Sequence, residues 1–385
     1  MPIVRILLTA LFMLSFYGGT NFYIAHRLYK WLSLINPYIN VKVYAGIYIF
    51  TALSMIIGFF PIPSVIKSIL NWIGTHWMGI FVYLLLFFIT ADIALLLAKI
   101  TKIIPSPIPQ NICFFTGLIV VMLTAVLFIY GKYNTNNIKH VSYDIQTKKS
   151  ITSKEVKIVL ISDLHLGTGN AEKNLPKIIQ GINSVKPDIV CIVGDIFNDN
   201  YDSIRNPNEA MRLFRSIEAQ YGVYACMGNH DGGKTFNEMS RFLEQSNITL
   251  LNDEYKIIDN RLVMIGRLDS RPIGGFDGLK RQDITAVLPP TDIDLPVVVM
   301  DHNPSNIKEY DGRVDVLLFG HTHGGQLFPG NLITKSLFVT DYGHYQEDAG
   351  SPHIIVTSGV STWGPPLRIG TYNEIATITL LTTDH

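Results

Sequence analysis

Acidic residues are almost absent from the first third of this chain. Residues 1–131 contain one, Asp92, and only seven lysines and arginines. Because charge is so sparse, four long uncharged stretches remain: Ile6–Ala25, Val43–Ile66, Ser68–Ala91 and Ile103–Gly131. Each provides about 20 residues, the length that a helix needs to cross the hydrocarbon core of a bilayer. We therefore predict an α-helical membrane region with about four transmembrane helices in residues 1–131.

A cleaved signal peptide is the alternative interpretation of the first uncharged stretch. That stretch is longer than the apolar part of a typical signal peptide, and no cleavage site with small residues follows it. Three further stretches come after it, and Trp31, Trp72 and Trp77 fit an aromatic belt at the membrane surface. We therefore expect an integral membrane protein.

The distribution of basic residues gives little guidance on topology. With four spans, the N-terminus and the C-terminal domain share one side of the membrane. The lysines and arginines of the two sides are nearly balanced, with a slight excess that favours a cytoplasmic C-terminal domain. Asp92 falls inside a predicted span, where it is either a polar site of the helix bundle or a helix-end residue that reaches interfacial water. We favour the second reading because Lys99 follows within two turns.

The rest of the chain has no excess of basic residues. It carries 30 acidic and 24 basic side chains, a net charge of −6. Such a balance is ordinary for a soluble domain and argues against a nucleic-acid-binding face. Cysteine is scarce as well, and Cys191 and Cys226 lie in strand-like apolar runs, as buried free thiols do. The sequence gives no indication of oligomeric state.

Short runs rich in valine and isoleucine alternate with amphipathic stretches from Lys154 onwards. Residues 132–153 are polar and aperiodic, and we interpret them as a linker or an edge strand before a domain that spans residues 154–385. Alternating strand and helix signals predict an α/β domain with buried strands. The predicted strands are Val156–Ser162, Asp188–Gly194, Gly222–Gly228, Leu295–Met300 and Val314–Gly320. The predicted helices are Ala171–Val185, Asn208–Gln220, Lys234–Gln245 and Pro304–Tyr310.

Polar residues follow each of these five strands. Sites in open α/β sheets form beyond the carboxyl ends of the strands, so these residues are expected to converge. A mixture of carboxylate, amide and imidazole ligands without thiolates suits first-row divalent ions. The set is too large for one ion and fits two that share a carboxylate, an arrangement that lowers the pKa of a water and clamps phosphate oxygens. The strand-end segments are Asp163-Leu-His165, Asp195-Ile-Phe-Asn198, Asn229-His230-Asp231, Asp301-His302-Asn303 and His321-Thr-His323.

The order D-x-H, G-D-x-x-N, G-N-H-D, a strand-end histidine and G-H-T-H resembles the calcineurin-like metallophosphoesterase superfamily. The G-H-T-H-G-G-Q motif, together with Thr357–Gly359, Pro366–Arg368 and Glu374–Ile375, looks like its bacterial membrane-associated subgroup. The resemblance implies a two-sheet β-sandwich flanked by helices, in an integral protein of the bacterial inner (cell) membrane. It also implies two divalent metal ions, for which manganese is our first expectation and iron or zinc the alternatives.

The resemblance implies a role for each matching residue. Asp163, His165 and His323 would bind the first metal. Asn229, His302 and His321 would bind the second, with Asp195 bridging the two. His230 would be the general acid or a histidine that orients the phosphate, with Asp231 holding its other ring nitrogen. Asn198 stands where many relatives have an acidic residue. It is either an amide that supports the ligands or a solvated loop residue that Asp199 replaces, and we leave it outside the site.

Arg368 has two interpretations. The charge and fork geometry of its guanidinium suit a phosphate clamp, and a structural ion pair with Glu374 is the alternative. We predict the clamp and assign Arg368 to substrate binding.

The expected function is hydrolysis of a phosphomonoester, phosphodiester or diphosphate bond. The membrane region favours a lipid-linked substrate, such as a UDP-diacylglucosamine-like lipid or an envelope phosphoester, although the anchor would serve equally well as a tether. The alternative function is a non-catalytic metal-binding membrane scaffold or sensor. Filled ligand positions and the presence of His230 argue against that alternative.

Overall fold

The computed structural model describes residues 2–58, 60, 62–147, 149, 155–291 and 293–382. The chain divides into two compact units. The first extends to Gly131 and includes Gly364–Pro366, and the second contains Lys132–Trp363 and the residues from Leu367 onwards. The predicted domain start at Lys154 and end at His385 lie outside the described residues.

Helices make up the described part of the first unit. They are α1 (Pro2–Ile35), α2 (Val41–Ile57), α3 (Ser64–Ile100) and α4 (Gln110–Asn134). Two helical segments, Val65–Ile100 and Gln110–Asn134, are long and apolar enough to cross a membrane. The helix α2 ends at Ile57, nine residues before the end of the predicted apolar stretch. The helical nature of this region is thus confirmed, whereas four membrane spans stay a prediction.

Asp92 lies in α3 and contacts two side chains of α1. Its carboxylate is 2.6 Å from the Arg27 guanidinium, and it accepts a hydrogen bond of 2.6 Å from the Tyr23 hydroxyl. The two partners satisfy a charge that would be costly in an apolar environment. Asp92 therefore connects two helices of the first unit, as a polar site of the helix bundle would, which is the reading that we did not favour.

Two mixed sheets form the second unit, as predicted for the two-sheet architecture. The first has the order β1-β12-β2-β3-β4-β5, and the second has the order β10-β11-β9-β8-β7-β6. The described strands are β1 (Ile138–Thr147), β2 (Glu155–Ile161), β3 (Ile189–Val193), β4 (Val223–Cys226), β5 (Ile248–Leu250), β6 (Glu254–Ile258), β7 (Leu262–Gly266), β8 (Val297–Met300), β9 (Val316–Phe319), β10 (Gly343–Tyr345), β11 (His353–Val356) and β12 (Asn373–Thr382).

The segment between the predicted domains contains a strand. Residues Ile138–Thr147 form β1, which pairs in parallel with β12 at the edge of the first sheet. Of the two interpretations of residues 132–153, the edge strand applies to this part. Polar side chains hid it in the sequence because an edge strand exposes one or both faces to water.

Alternation along β2 shows how the sheets are packed. Ile158 and Leu160 belong to an apolar cluster that includes Met264, Met300 and Leu318 of the second sheet. Successive side chains of a strand point to opposite faces, so this cluster is the core between the sheets. Cys191 and Cys226 are buried in the same cluster as free thiols.

Helices cover the outer face of the first sheet. Val159 and Ile161 of β2 pack with α5 (Gly169–Val185), α6 (Pro207–Phe214) and α7 (Phe236–Gln245). The helix α8 (Ile284–Val287) lies against the outer face of the second sheet, and α9 (Gly330–Leu337) follows β9. The predicted helix that was to end at Gln220 already ends at Phe214, and Pro304–Glu309 is a 3-10 helix.

Candidate metal centre

Four of the five strand-end segments supply two compact groups of candidate ligands, and the segment Asn229-His230-Asp231 contributes to neither group. Strands β2, β3 and β4 are parallel neighbours in the first sheet, and β8 and β9 are parallel neighbours in the second. Parallel strands present their carboxyl ends at one edge, so each sheet delivers its polar residues together. One group contains Asp163, His165 and His323, and the other contains Asp195, His302 and His321. Within each group the ligand atoms lie within 4.8 Å of one another.

Three ligand atoms of the first group face one another closely. The Nε2 atoms of His165 and His323 are 3.3 Å apart, and Asp163 Oδ1 is 3.2 Å from His323 Nε2 and 4.0 Å from His165 Nε2. The three side chains are at most 9 % exposed. Two imidazoles and one carboxylate directed at a common point are the ligand type and number that a first-row divalent ion binds.

His302 of the second group is held in one orientation. Its Nδ1 lies 2.9 Å from the carbonyl oxygen of Val193, which can only accept a hydrogen bond. Nδ1 therefore carries a proton, and Nε2 faces Asp195 Oδ2, 3.1 Å away. A carbonyl that fixes the tautomer in this way is typical of metal-binding histidines.

Asp195 lies between the two groups. Besides its contact with His302, its Oδ2 is 3.8 Å from His165 Nε2 of the first group. The other carboxylate oxygen accepts a hydrogen bond of 2.9 Å from the backbone N–H of His230. One carboxylate oxygen is thus near ligands of both groups, which is the position that a bridging ligand requires.

Several ligand atoms are buried without a hydrogen-bond partner. Among the described residues they include Asp163 Oδ1, Asn229 Oδ1 and His302 Nε2. A buried polar atom with no partner is costly, and a divalent cation would satisfy all three as electron-pair donors. The residues present therefore fit divalent metal ions. Asn229 has this property although it is outside the two groups.

The backbone at the ligands adopts conformations that are unusual for side-chain-bearing residues. The φ angles of Asp163, His165, Asp195, His321 and His323 lie between 50° and 70°. Left-handed backbone costs energy outside glycine and is concentrated at functional sites. Here the left-handed conformation turns the backbone sharply after each strand, and these turns direct the ligand side chains towards one another.

The pKa shifts of four ligands suit metal binding. For His302, burial lowers the pKa, but the carboxylates of Asp195 and Asp163 outweigh burial and raise the pKa overall, so its ring must lose a proton when it binds a cation. Burial lowers the pKa of His165 to about 3 and that of His321 to about 4, so both rings are neutral. Burial opposes ionisation of Asp163 and Asp195, but the neighbouring histidines outweigh it and lower the pKa of both carboxyls. Neutral imidazoles and ionised carboxylates are the forms that bind cations.

His230 is paired with Asp199, a residue that we had not assigned to the site. Its Nδ1 is 2.6 Å from Asp199 Oδ1, and its ring lies 5.3 Å from the ring of His165. Burial lowers the pKa of His230, but the hydrogen bond with Asp199 and the charge of Asp195 outweigh it and raise the pKa overall. The sequence did contain a signal for this role. Asp199 directly follows Asn198 and supplies, one position later, the carboxylate that is missing at position 198.

The prediction that Asp231 holds His230 was wrong. Asp231 is fully buried and accepts hydrogen bonds of 2.8 Å from the backbone N–H groups of Phe197 and Gly228. The side chain of Asp231 therefore joins the loops after β3 and β4, which carry Asp195 and Asn229. The proximity of Asp231 to His230 in the sequence suggested that the two side chains are in contact. They are not, because the Asp231 side chain faces the protein interior.

We expect Asp199→Asn to lower kcat about 10- to 100-fold, the usual effect of losing the partner of an active imidazole. Metal content and KM should change little, because Asp199 contacts neither ligand group. The loss should be larger for an alkyl phosphoester than for p-nitrophenyl phosphate, whose leaving group needs no proton. The exposed neighbour Asp202, changed to asparagine, is the control. An equal loss on both substrates would contradict the pairing.

The prediction that Arg368 clamps phosphate was wrong as well. The residue is fully buried, and its guanidinium donates to the carbonyl oxygens of His323 (2.8 Å) and Ser358 (2.6 Å). It also contacts Ser361 O and lies 3.2 Å from His323 Nδ1. Its alternative role, an ion pair with Glu374, is not formed either, since Glu374 accepts from Thr357, Ser358 and Tyr342. Arg368 positions His323.

Arg368→Lys should therefore destabilise the second unit by about 2–4 kcal/mol, because one ammonium cannot replace several charged hydrogen bonds in a buried site. Thermal unfolding of the detergent-solubilised chain and its metal content would measure the effect, and both should fall. Arg313→Lys, at an exposed pair with Asp311, is the matched control. A raised KM with unchanged stability would instead restore the phosphate clamp.

Gly359 permits close packing behind the first ligand group. Its φ is 79°, and a Cβ atom there would lie 2.7 Å from the Cβ of Asp163. Any larger residue would displace that ligand. The Thr357–Gly359 segment quoted from the sequence thus has a packing role next to the metal centre.

Comparisons with known proteins agree with this geometry. The family model described as calcineurin-like phosphoesterase matches residues 156–325. An uncharacterised metallophosphoesterase of Campylobacter jejuni is 28% identical over 97% of this chain and 98% of its own length. An uncharacterised metallophosphoesterase of Aquifex aeolicus is 32% identical over 67% of this chain and 98% of its own length. A zebrafish (Danio rerio) protein named as a transmembrane protein with a metallophosphoesterase domain is 28% identical over 69% of this chain and 63% of its own length.

Proposed function

The chain belongs to the calcineurin-like phosphoesterase family and is a metal-dependent phosphoesterase, and we propose that it is a membrane-anchored hydrolase with two divalent ions. The observation that carries this proposal is the position of Asp195, whose carboxylate lies 3.1 Å from a ligand of one group and 3.8 Å from a ligand of the other. Two ions that share a carboxylate are a common device for displacement at phosphorus.

We assign the ions to the residues by group. Asp163, His165 and His323 hold the first, and Asn229, His302 and His321 hold the second, with Asp195 shared. When bound, the two ions supply Lewis-acid stabilisation of phosphate oxygens and activation of water. We propose manganese for this mixed set of oxygen and imidazole ligands, with iron or zinc as alternatives.

His230 supplies the proton for the leaving oxygen in this proposal. Its ring is next to His165, and Asp199 accepts from Nδ1, so Nε2 carries the proton to be donated. The carboxylates of Asp199 and Asp195 stabilise the protonated ring through the hydrogen bond and through charge. Asp231 and Arg368 act indirectly by holding the loops that carry the ligands.

The membrane region supports a location in the bacterial inner membrane. We propose that the second unit, which carries the ligand groups, lies on the cytoplasmic side. Two apolar helices of sufficient length and the zebrafish relative's name support membrane association. The corresponding substrate is a lipid-linked phosphoester or diphosphate, of the UDP-diacylglucosamine type or from the cell envelope. The bilayer is then a partner of the protein.

Metal analysis and a substrate screen test this function directly. The detergent-solubilised full chain should contain two equivalents of divalent metal and hydrolyse at least one phosphoester from a panel of soluble and lipid-linked compounds. Metal removal by a chelator should abolish hydrolysis, and Mn²⁺ should restore it. Bound metal without hydrolysis of any compound would favour the scaffold or sensor instead.

A further inference from the structure

An apolar helix directly follows the G-H-T-H-G-G-Q motif. The helix α9 contains no buried residue among those described, and Leu332, Ile333 and Leu337 are 58%, 61% and 71% exposed. Phe328 precedes it and is also exposed. Large apolar side chains that cluster on a surface are uncommon in soluble domains and indicate a partner with apolar chemistry.

This helix is fixed beside the metal centre. Gly325 has a φ of 76°, and a Cβ atom there would collide with the backbone of Asn331 in the first turn of α9. The ring of Phe338, which ends the helix, lies 6.2 Å from the ring of His321. The apolar surface of α9 therefore cannot move far from the ligands without disrupting the motif.

Trp363 extends the apolar surface to the proposed catalytic histidine. Its ring is 6.0 Å from the ring of His230, and the side chain is about half exposed. Gln326 holds its backbone from both sides: the amide NH₂ donates to Trp363 O (2.8 Å), and the amide oxygen accepts from Trp363 N (2.9 Å). The Trp363 indole lies next to His230 on a backbone that Gln326 holds. It can therefore contact the part of a substrate that lies outside the metal centre.

Chain connectivity identifies the partner. The helix α4, which has the length and composition of a membrane span, ends at Asn134, and β1 begins at Ile138. Only three residues separate a candidate membrane span from the first strand of the second unit, so a bilayer is the apolar partner nearest along the chain. The only charged residue of α9 is the basic Lys335, which suits anionic headgroups, and an indole favours the membrane interface.

We propose that Phe328, Leu332, Ile333, Leu337 and Trp363 form a lipid-contacting rim that inserts into the bilayer surface beside the metal centre. The rim rests on the proposed function and specifies it further: the substrate is a phosphoester whose lipid part stays in the bilayer while its phosphate reaches the metals. A water-soluble protein as the occupant is the competing outcome.

Fluorescence quenching tests the rim without depending on activity. The full chain with Leu337→Cys in a Cys113→Ser background is labelled with an environment-sensitive fluorophore, since Cys191 and Cys226 are buried. It is placed in nanodiscs of phosphatidylcholine and phosphatidylglycerol with nitroxide-labelled lipids. Strong quenching and a blue shift are expected at residue 337. The control Ile257→Cys, an exposed apolar site on β6, should stay unquenched. Equal or absent quenching at the two sites overturns the rim.

Substrate preference tests the second half of the inference. The probes are dioleoyl phosphatidic acid in mixed micelles and glycerol 3-phosphate. Leu332→Ser, Ile333→Ser and Leu337→Ser together should lower the ratio of kcat/KM for the lipid to that for the soluble probe about tenfold or more, because lost apolar contacts weaken only lipid binding. The control pair Tyr255→Ser and Ile257→Ser should leave the ratio unchanged.

The outcomes separate the two proposals. An unchanged ratio in the triple variant overturns the lipid-bound substrate. If the unsubstituted chain hydrolyses neither probe nor any other phosphoester, the proposed function fails, while quenching at residue 337 still decides whether the rim contacts lipid.

Discussion

Asp195→Asn is expected to lower hydrolysis about 1,000-fold or more, because a shared carboxylate supports several kcal/mol of transition-state stabilisation by two ions. The change keeps the size of the side chain and removes its charge. Its amide has one oxygen instead of two and carries N–H groups that would point at His302 or His230. Metal analysis should show the loss of at least one equivalent per chain together with activity.

The control for this variant is Asp259→Asn. Asp259 is exposed, pairs with Arg261 and has a left-handed backbone that asparagine tolerates. It should keep both metals and full activity. Retention of two metal equivalents and of hydrolysis in Asp195→Asn would show that Asp195 does not bridge, and the proposed function would lose its central observation.

His230→Asn is expected to lower kcat about 100- to 10,000-fold while both metals remain bound, the range for losing a positioned proton donor. His230 belongs to neither ligand group, and its ring bonds to Asp199 instead. As with Asp199→Asn, the loss should be greater for an alkyl phosphoester than for p-nitrophenyl phosphate. Rates on both substrates and metal content of the same preparation are the measurements.

His344→Asn is the matched control for His230→Asn. His344 is exposed on β10, contacts His353 and lies outside both ligand groups. Unchanged hydrolysis in His230→Asn, with metals bound, would remove the proton-donor role. If in addition no phosphoester were hydrolysed by the unsubstituted chain, the metal-binding scaffold would become the better description.

These two variants separate metal binding from proton donation. Asp195→Asn should lose metal and activity together, whereas His230→Asn should lose activity alone. Asp199→Asn should resemble a weaker His230→Asn, because it acts through the imidazole. Arg368→Lys should instead affect stability and the first ligand group, because its donors hold the backbone of His323.

The identity of the ligands could be predicted from the sequence because each one directly follows a run of apolar residues. Asp163, Asp195 and Asn229 come after buried strands of the first sheet, and His302 and His321 come after those of the second. A buried strand needs consecutive apolar side chains, so a polar residue at its end is conspicuous, and adjacent parallel strands bring such residues together.

Four of the remaining strands were hard to predict because they lack a long buried apolar run, whereas β7, β11 and β12 carry buried apolar residues and were missed all the same. The strands β1 and β6 lie at sheet edges and carry many exposed residues. Their patterns therefore lack the continuous apolar run of a buried strand. The short strands β5 and β10 have three residues each, too few for a period to be recognised.

The sequence by itself determined the helical character of the first unit, the α/β class of the second and the candidate ligands, six of which form the two compact groups. Only the tertiary structure decided which side chains support them: Asp199 rather than Asp231 holds His230, and Arg368 holds His323 rather than substrate. The difference has a physical cause. A strand end fixes where a ligand lies, whereas the partner of a loop side chain depends on backbone turns and packing between segments distant in the chain, which residue spacing does not encode.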